Sequence, residues 1–154
     1  MNAFQIAIAD SDLADLKARL AATRFAPSLP DVGWSYGTDA AFLRSFVQFW
    51  GEQFDWRAAE ARLNAYPQFI EIVDGQAIHF VHVHGQGDDN TPLLLTNGWP
   101  SNFVELLPLV PLLTQAIDGR AFDIIIPSLP GYGFSGQLTE PGMNLSATAP
   151  YWLN

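Results

Sequence analysis

The hydrophobic period of this chain changes at Pro67, and that change limits what it can fold into. Upstream, apolar residues recur at helical spacing. Leu13, Leu16 and Leu20 follow an i, i+3, i+7 pattern, with Asp10 or Ser11 placed as N-cap and Arg19 and Arg24 towards the C-terminal end. A loop carrying Pro27, Pro30, Gly33 and Gly37 comes next. A second predicted helix starts at Thr38 or Asp39 and presents Phe42, Phe46 and Phe49 to a core, with Leu43 and Val47 beside them. Asp55 caps a third, short helix through Asn64, and Pro67 ends the helical half.

From Gln68 onward the pattern is that of strands. Phe69 to Val73, a turn at Asp74-Gly75, and Ala77 to His84 predict a β-hairpin. After a polar loop rich in Gly and Asp, Pro92 to Thr96 is a short continuous apolar run, as expected of a buried strand. Phe103 to Gln115 suits a helix, although Pro108 is tolerated only near a first turn, so the helix begins late or kinks. Phe122 to Ile126 predicts another buried strand. Strand, helix, strand implies a right-handed crossover and an α/β sheet, with the hairpin antiparallel and the two later strands parallel. The expected division is a helical segment, 1–67, and a sheet segment, 68–154.

Composition closes off several functions. Hydrophobic residues make up 49% and charged ones 15% of the 154 residues, which excludes intrinsic disorder and a coiled coil. Seven basic residues against sixteen acidic, a net charge of −9, speak against nucleic acid or an anionic membrane as partner. The absence of cysteine removes disulfides and thiolate metal sites. No stretch approaches the roughly 18 apolar residues of a membrane span. Asp10, Asp12 and Asp15 interrupt any signal peptide, leaving a cytoplasmic location as the default expectation.

In an open α/β sheet, ligands bind just beyond the carboxyl ends of strands. Asn97-Gly98-Trp99-Pro100 follows the apolar run at Pro92. It reads either as a turn whose backbone N–H groups point into a cleft, the raw material of an oxyanion hole, or as a plain connection with Trp99 filling the core. The segment SLPGYGFSG, Ser128 to Gly136, follows the second strand, and Gly131 and Gly133 around Tyr132 permit unusual backbone angles. Its glycines fit G-x-G-x-x-G literally, but no helix opens directly after them and the P-loop lysine is missing, so a nucleotide site is disfavoured. His82 and His84 share a strand face, with His79 on the other. Without a third ligand at matching spacing they read as solvated or hydrogen-bonded histidines, and neither a metal nor a cofactor is expected. No G-x-S-x-G elbow occurs. The residues offer part of an active site and no nucleophile.

The strings LLLTNGWPSNFVELLPLVPLL and FDIIIPSLPGYGFSG resemble the oxyanion-turn and glycine-loop segments of α/β-hydrolase-fold epoxide hydrolases. Upstream, DLKARLAATR, WSYG and FWGEQFDWRAAEARLNAYPQFIEIVDGQAIHFVHV resemble the N-terminal region of the microsomal and juvenile-hormone types, so the likeness covers about Phe4 to Gly136. It implies the N-terminal part of an α/β-hydrolase sheet preceded by a helical extension. In the implied chemistry, an Asp attacks an epoxide carbon and a His-activated water hydrolyses the resulting ester to a diol. The Trp99 backbone N–H then serves as oxyanion donor in the turn Asn97, Gly98 and Pro100, while Gly131, Tyr132, Gly133 and Ser135 support the neighbouring loop. Asn97 stands where the family usually has His, and Ser101 and Asn102 where it often has Gly and Ser.

The family's nucleophile, acid, base and lid tyrosines lie beyond the segments matched here, so the chain is expected to be truncated and inactive alone. The full-length form would take a small lipophilic epoxide, with Trp34, Phe49, Trp50, Trp99 and Phe134 serving as core or as pocket walls. Two alternatives stay open: a natural short paralogue acting as a binding module, and a fragment of a haloalkane dehalogenase-like hydrolase. Leu93 to Leu95 would leave an unpaired sheet edge able to self-associate.

Overall fold

The computed structural model describes residues 1–153 and divides into two compact units, Ala7–Glu60 and Met1–Ile6 with the residues from Ala61 onward. In the first unit α1 spans Asp10–Ala21, α2 Ala40–Glu52, and α3 starts at Trp56 and runs on to Leu63. The expected cap of α1 is corrected: Ala9 holds that position without a side-chain bond, and Asp10 is already helical. The Asp10 carboxylate is instead bound by Arg57, whose guanidinium also donates to the Ile8 carbonyl at 2.7 Å and to Glu60 at 2.6 Å. The other two caps form as the sequence predicts. Asp39 accepts from the Phe42 N–H at 2.7 Å, and Asp55 from the Ala58 N–H at 3.0 Å.

The aromatic face of α2 departs from expectation. Phe42, Phe46 and Phe49 are 48%, 47% and 46% exposed rather than buried in a core. Trp34, Phe42, Phe46 and Trp50 instead form a row of ring contacts at 5.1, 6.0 and 6.3 Å. The 3.6-residue period correctly reports one apolar face, but a period does not say what covers it.

In the second unit a five-stranded mixed sheet runs in the order β1-β2-β3-β5-β4. β2 (Gln68–Val73) and β3 (Gln76–Val83) form the predicted hairpin, turned by Asp74 and Gly75 at φ 48° and 80°. Two consecutive positive φ angles are what a tight right-twisted hairpin needs. β1 (Asn2–Phe4), not foreseen, adds antiparallel to β2. β5 (Arg120–Pro127) pairs antiparallel with β3 and parallel with β4 (Asp89–Leu94), so the two later strands share one sheet as expected.

β4 is a partial correction. It starts within the supposed polar loop, because the Asn90 side chain bonds the Gly85 carbonyl and the Gly87 N–H and fixes the polar residues in extended form. It lies at the sheet edge, and Leu94 is exposed rather than buried. The Leu95 N–H donates to the Ile125 carbonyl, so alternation turns Asn90, Pro92 and Leu94 to the open side. The connection to β5 is a 3₁₀ segment, Phe103–Leu109, followed by the short α4, Val110–Leu113. Pro108 lies in the first and Pro111 at the start of the second, so the α-helix does begin late. Ile78, Val81, Ile124, Ile126, Phe103, Leu107 and Val110 form the core. The last elements are α5, Leu145–Thr148, and a 3₁₀ turn, Ala149–Trp152.

Candidate functional site

β4 and β5 are parallel neighbours, so the turn after β4 and the loop after β5 leave the same end of the sheet. That end is where α/β sheets place ligands. In the turn, the Ser101 N–H donates to the Gly98 carbonyl at 2.8 Å, and Asn97 Nδ2 braces the Ser101 carbonyl at 3.0 Å. Asn97 thus supports the turn through backbone bonding, while its buried Oδ1 has no partner among the described residues. The Trp99-Pro100 bond is cis. Trp99 is 82% exposed, which corrects the reading of it as core filler. Among the described residues no acceptor engages its N–H.

The glycine loop, by contrast, is tied down at several points. The Ser128 N–H donates to the His79 carbonyl at 2.8 Å, and the Gly136 N–H to the Ala77 carbonyl at 2.8 Å. Gln76 Nε2 donates to the Gly136 carbonyl at 2.8 Å. Ser135 Oγ accepts from the His79 N–H at 3.0 Å and donates to the Ser128 carbonyl at 2.8 Å, so its hydroxyl is a fastening and not a free nucleophile. Gly131 and Gly133 have φ of 79° and 52°, and Tyr132 between them is half-buried.

The two motifs differ in how strictly they need glycine. A Cβ on Gly133 would lie 2.7 Å from Ser128 Oγ, whereas one on Gly98 meets nothing within 4 Å. Gly133→Ala is therefore expected to lose about 1–2 kcal/mol from the left-handed backbone alone, with the collision added. Gly98→Ala is expected to stay within about 0.5 kcal/mol of the parent. Urea unfolding of the two variants checks the difference.

Ser128 raises a second possibility. Its Oγ lies 2.9 Å from His79 Nδ1, and His79 Nε2 lies 3.0 Å from Gln68 Oε1. This has the connectivity of a serine–histidine–amide relay. Yet Ser128 is 1% and His79 0% exposed, and burial pushes the imidazole down to about 4, so no substrate reaches the hydroxyl. The network is structural. Sequence reasoning could place His79 in a strand but had no signal for partners so distant in the chain.

His82 and His84 do share the opposite face, their rings 4.5 Å apart. His84 Nδ1 lies 3.5 Å from Asp123 Oδ2, and the Gly85 N–H donates to Asp123 Oδ1 at 2.7 Å. Burial first, and the neighbouring His84 second, hold the His82 pKa below its ordinary value. Among the described residues no group of three or more His, Asp and Glu side chains is gathered for a metal ion. Nor does any helix have the length and apolar character to cross a membrane.

The sequence-family model for the epoxide hydrolase N terminus matches residues 1–106. The chain belongs to that family. It is 38% identical to juvenile hormone epoxide hydrolase 2 of Ctenocephalides felis, covering 97% of this chain and 33% of that protein. It is 36% identical to epoxide hydrolase 1 of Sus scrofa, covering 95% and 34%. Among solved structures, the juvenile hormone epoxide hydrolase of the silkworm Bombyx mori superposes with a TM-score of 0.92 at 34% identity, over 99% of this chain and 42% of that one. The Aspergillus niger epoxide hydrolase gives 0.86 at 33%, over 97% and 40%. The fold is thus the N-terminal part of an α/β-hydrolase domain of the epoxide hydrolase family, and the chain spans about a third of the length of these curated relatives.

Proposed function

We propose that this chain supplies the oxyanion half of an epoxide hydrolase active site. The observation that supports this reading is the Trp99 backbone N–H, without an acceptor among the described residues, in an exposed residue at a strand end, at the same end of the sheet as a firmly tied glycine loop. In the implied reaction an Asp from outside these residues attacks an epoxide carbon, breaking its C–O bond while lid tyrosines hydrogen-bond the oxygen. Water activated by a His then attacks the ester carbonyl, and the C–O bond to the diol breaks. Negative charge builds on the carbonyl oxygen, where a fixed N–H lowers the barrier. Gly131, Gly133 and Ser135 keep the adjacent loop in place, and Tyr132 rides on it. The helical extension expected over 1–67 is carried by residues 7–60, while 1–6, whose β1 joins the sheet, belong with the residues from 61 onward to the first part of the hydrolase domain. The substrate is a small lipophilic epoxide, in keeping with the relatives' names and the apolar character of such pockets.

The reading is tested by joining residues 1–154 to the part of the Bombyx mori enzyme that lies beyond the matched region. The chimera is expected to open styrene-type or fatty epoxides to diols; a folded chimera that opens neither counts against it. Residues 1–154 alone are expected to turn over no epoxide, since oxyanion donors without a nucleophile have nothing to stabilise. They are also expected to self-associate through β4, where Leu94 turns its unpaired backbone outward, although Pro92 removes one donor from that edge. Sedimentation across a concentration series checks this. A cooperative monomer at all concentrations contradicts the edge reading.

A further inference from the structure

His79 touches both candidate loops. Its ring meets Phe103, the first residue after the turn Asn97–Asn102, with centroids 5.0 Å apart, and Phe134 of the glycine loop at 5.4 Å. Phe103 and Phe134 approach each other to 6.1 Å, and Phe4 packs on the ring at 5.2 Å. The ring's polar edge is equally committed. Gln68 Nε2 donates to the Leu63 carbonyl at 2.9 Å, which leaves Gln68 Oε1 as the acceptor facing His79 Nε2. The imidazole proton therefore sits on Nε2, and Nδ1 accepts from the Ser128 hydroxyl. The residue's own N–H and carbonyl bind Ser135 Oγ and the Ser128 N–H. An apolar side chain would fill this volume without the cost of burying two ring nitrogens, so their pairing points to a directional task.

We propose that His79 is a positioning residue that sets the oxyanion turn and the glycine loop against each other, holding one through Phe103 and the other through Ser128 and Ser135, without touching substrate. This rests on the reading of those loops as active-site parts. Apolar packing against Phe103 and Phe134 fixes the spacing of the loops. The Nδ1 bond fixes the rotation of Ser128, whose Oγ abuts Gly133. Among the described residues, the side chains that stack on or hydrogen-bond the ring are Phe4, Gln68, Phe103, Ser128 and Phe134, none of them charged. A proton added to Nδ1 turns it from acceptor to donor, so the Ser128 hydroxyl must rotate to accept instead, and the buried cation gains no carboxylate partner from these side chains.

The test is residue-by-residue amide exchange on residues 1–154 and on His79→Leu and Ser128→Ala. In His79→Leu the amides of Gly131, Ser135 and Gly136, that of Ser101 in the turn and that of Val104 just after it, bonded to Asn102 Oδ1, are expected to exchange about 10-fold faster, against about 2-fold for ladder amides of β4 and β5. Ser128→Ala, which deletes only the hydroxyl, is expected to accelerate the glycine loop alone. In the parent chain, loop exchange corrected for its intrinsic pH dependence is expected to rise in step with titration of the His79 ring, followed by NMR. Unchanged loop amides, or one uniform acceleration of every amide, overturn the proposal. Should His79→Leu fail to fold, Ser128→Ala and the parent titration decide it. Exchange is read without substrate, so this outcome is separable from whether the chimera hydrolyses an epoxide.

Discussion

Replacing Trp99 by proline in the chimera with the Bombyx mori enzyme is expected to slow ester hydrolysis about 10²–10³-fold, the usual effect of deleting one oxyanion donor. Trp99→Ala is expected to leave kcat within a few-fold of the parent. The contrast isolates the backbone. The Trp99 side chain is 82% exposed, so trimming it removes little packing, whereas proline removes the N–H itself. Because the first half-reaction needs no oxyanion donor on the ester carbonyl, the covalent ester should accumulate in the proline variant. A burst of about one product equivalent of bound ester, trapped by acid quench, is the signature to look for. Thermal unfolding shows whether the fold is kept. Equal losses in the alanine and proline variants would mean that the indole, not the N–H, carries the effect, and the oxyanion assignment would fall.

How much of this was legible in the sequence follows from how local each feature is. The Asp74-Gly75 turn and the Asp39 and Asp55 caps depend on residues two or three positions apart, and each forms as read. The two candidate loops were also legible, because each directly follows an apolar strand run. β1 was not. Asn2–Phe4 is too short to show a period, and it is a strand only through pairing with residues 68–70. The polar start of β4 escaped because an edge strand needs no apolar alternation, and the Asn90 side chain supplies the order instead. The Phe42, Phe46 and Phe49 stripe announced an amphipathic helix, but burial is a property of what lies opposite. His79 was the largest omission. Its partner Ser128 lies 49 residues away, and no spacing rule connects a strand histidine to a serine at the end of another strand.

That same histidine makes the chain acid-sensitive in a defined window. Burial holds the folded imidazole down to about 4 against an ordinary 6.5. The unfolded chain therefore binds a proton that the folded one refuses, and stability rises with pH between those two values. Read downward, the loss begins as pH falls through 6.5 and is complete below about 4. The difference corresponds to about 3 kcal/mol, most of it already gone by pH 4.5. Glu60, Glu71 and Asp123 are also held below their ordinary values, by hydrogen bonds that favour their charged forms. Their contributions are present above about pH 4.5 and are lost below it, so the range from pH 7 to 5 belongs chiefly to histidine. His82, also lowered, is the second contributor in that range and needs a control. Urea unfolding at fixed protein concentration is expected to show the parent losing about 2 kcal/mol from pH 7 to 5. His82→Gln should retain most of that slope, and His79→Leu should remove most of it, leaving the smaller part that His82 contributes, whatever its absolute stability. A parent curve flat over this interval would mean that the His79 imidazole reaches solvent and titrates normally, contrary to its complete burial between Phe4, Phe103 and Phe134.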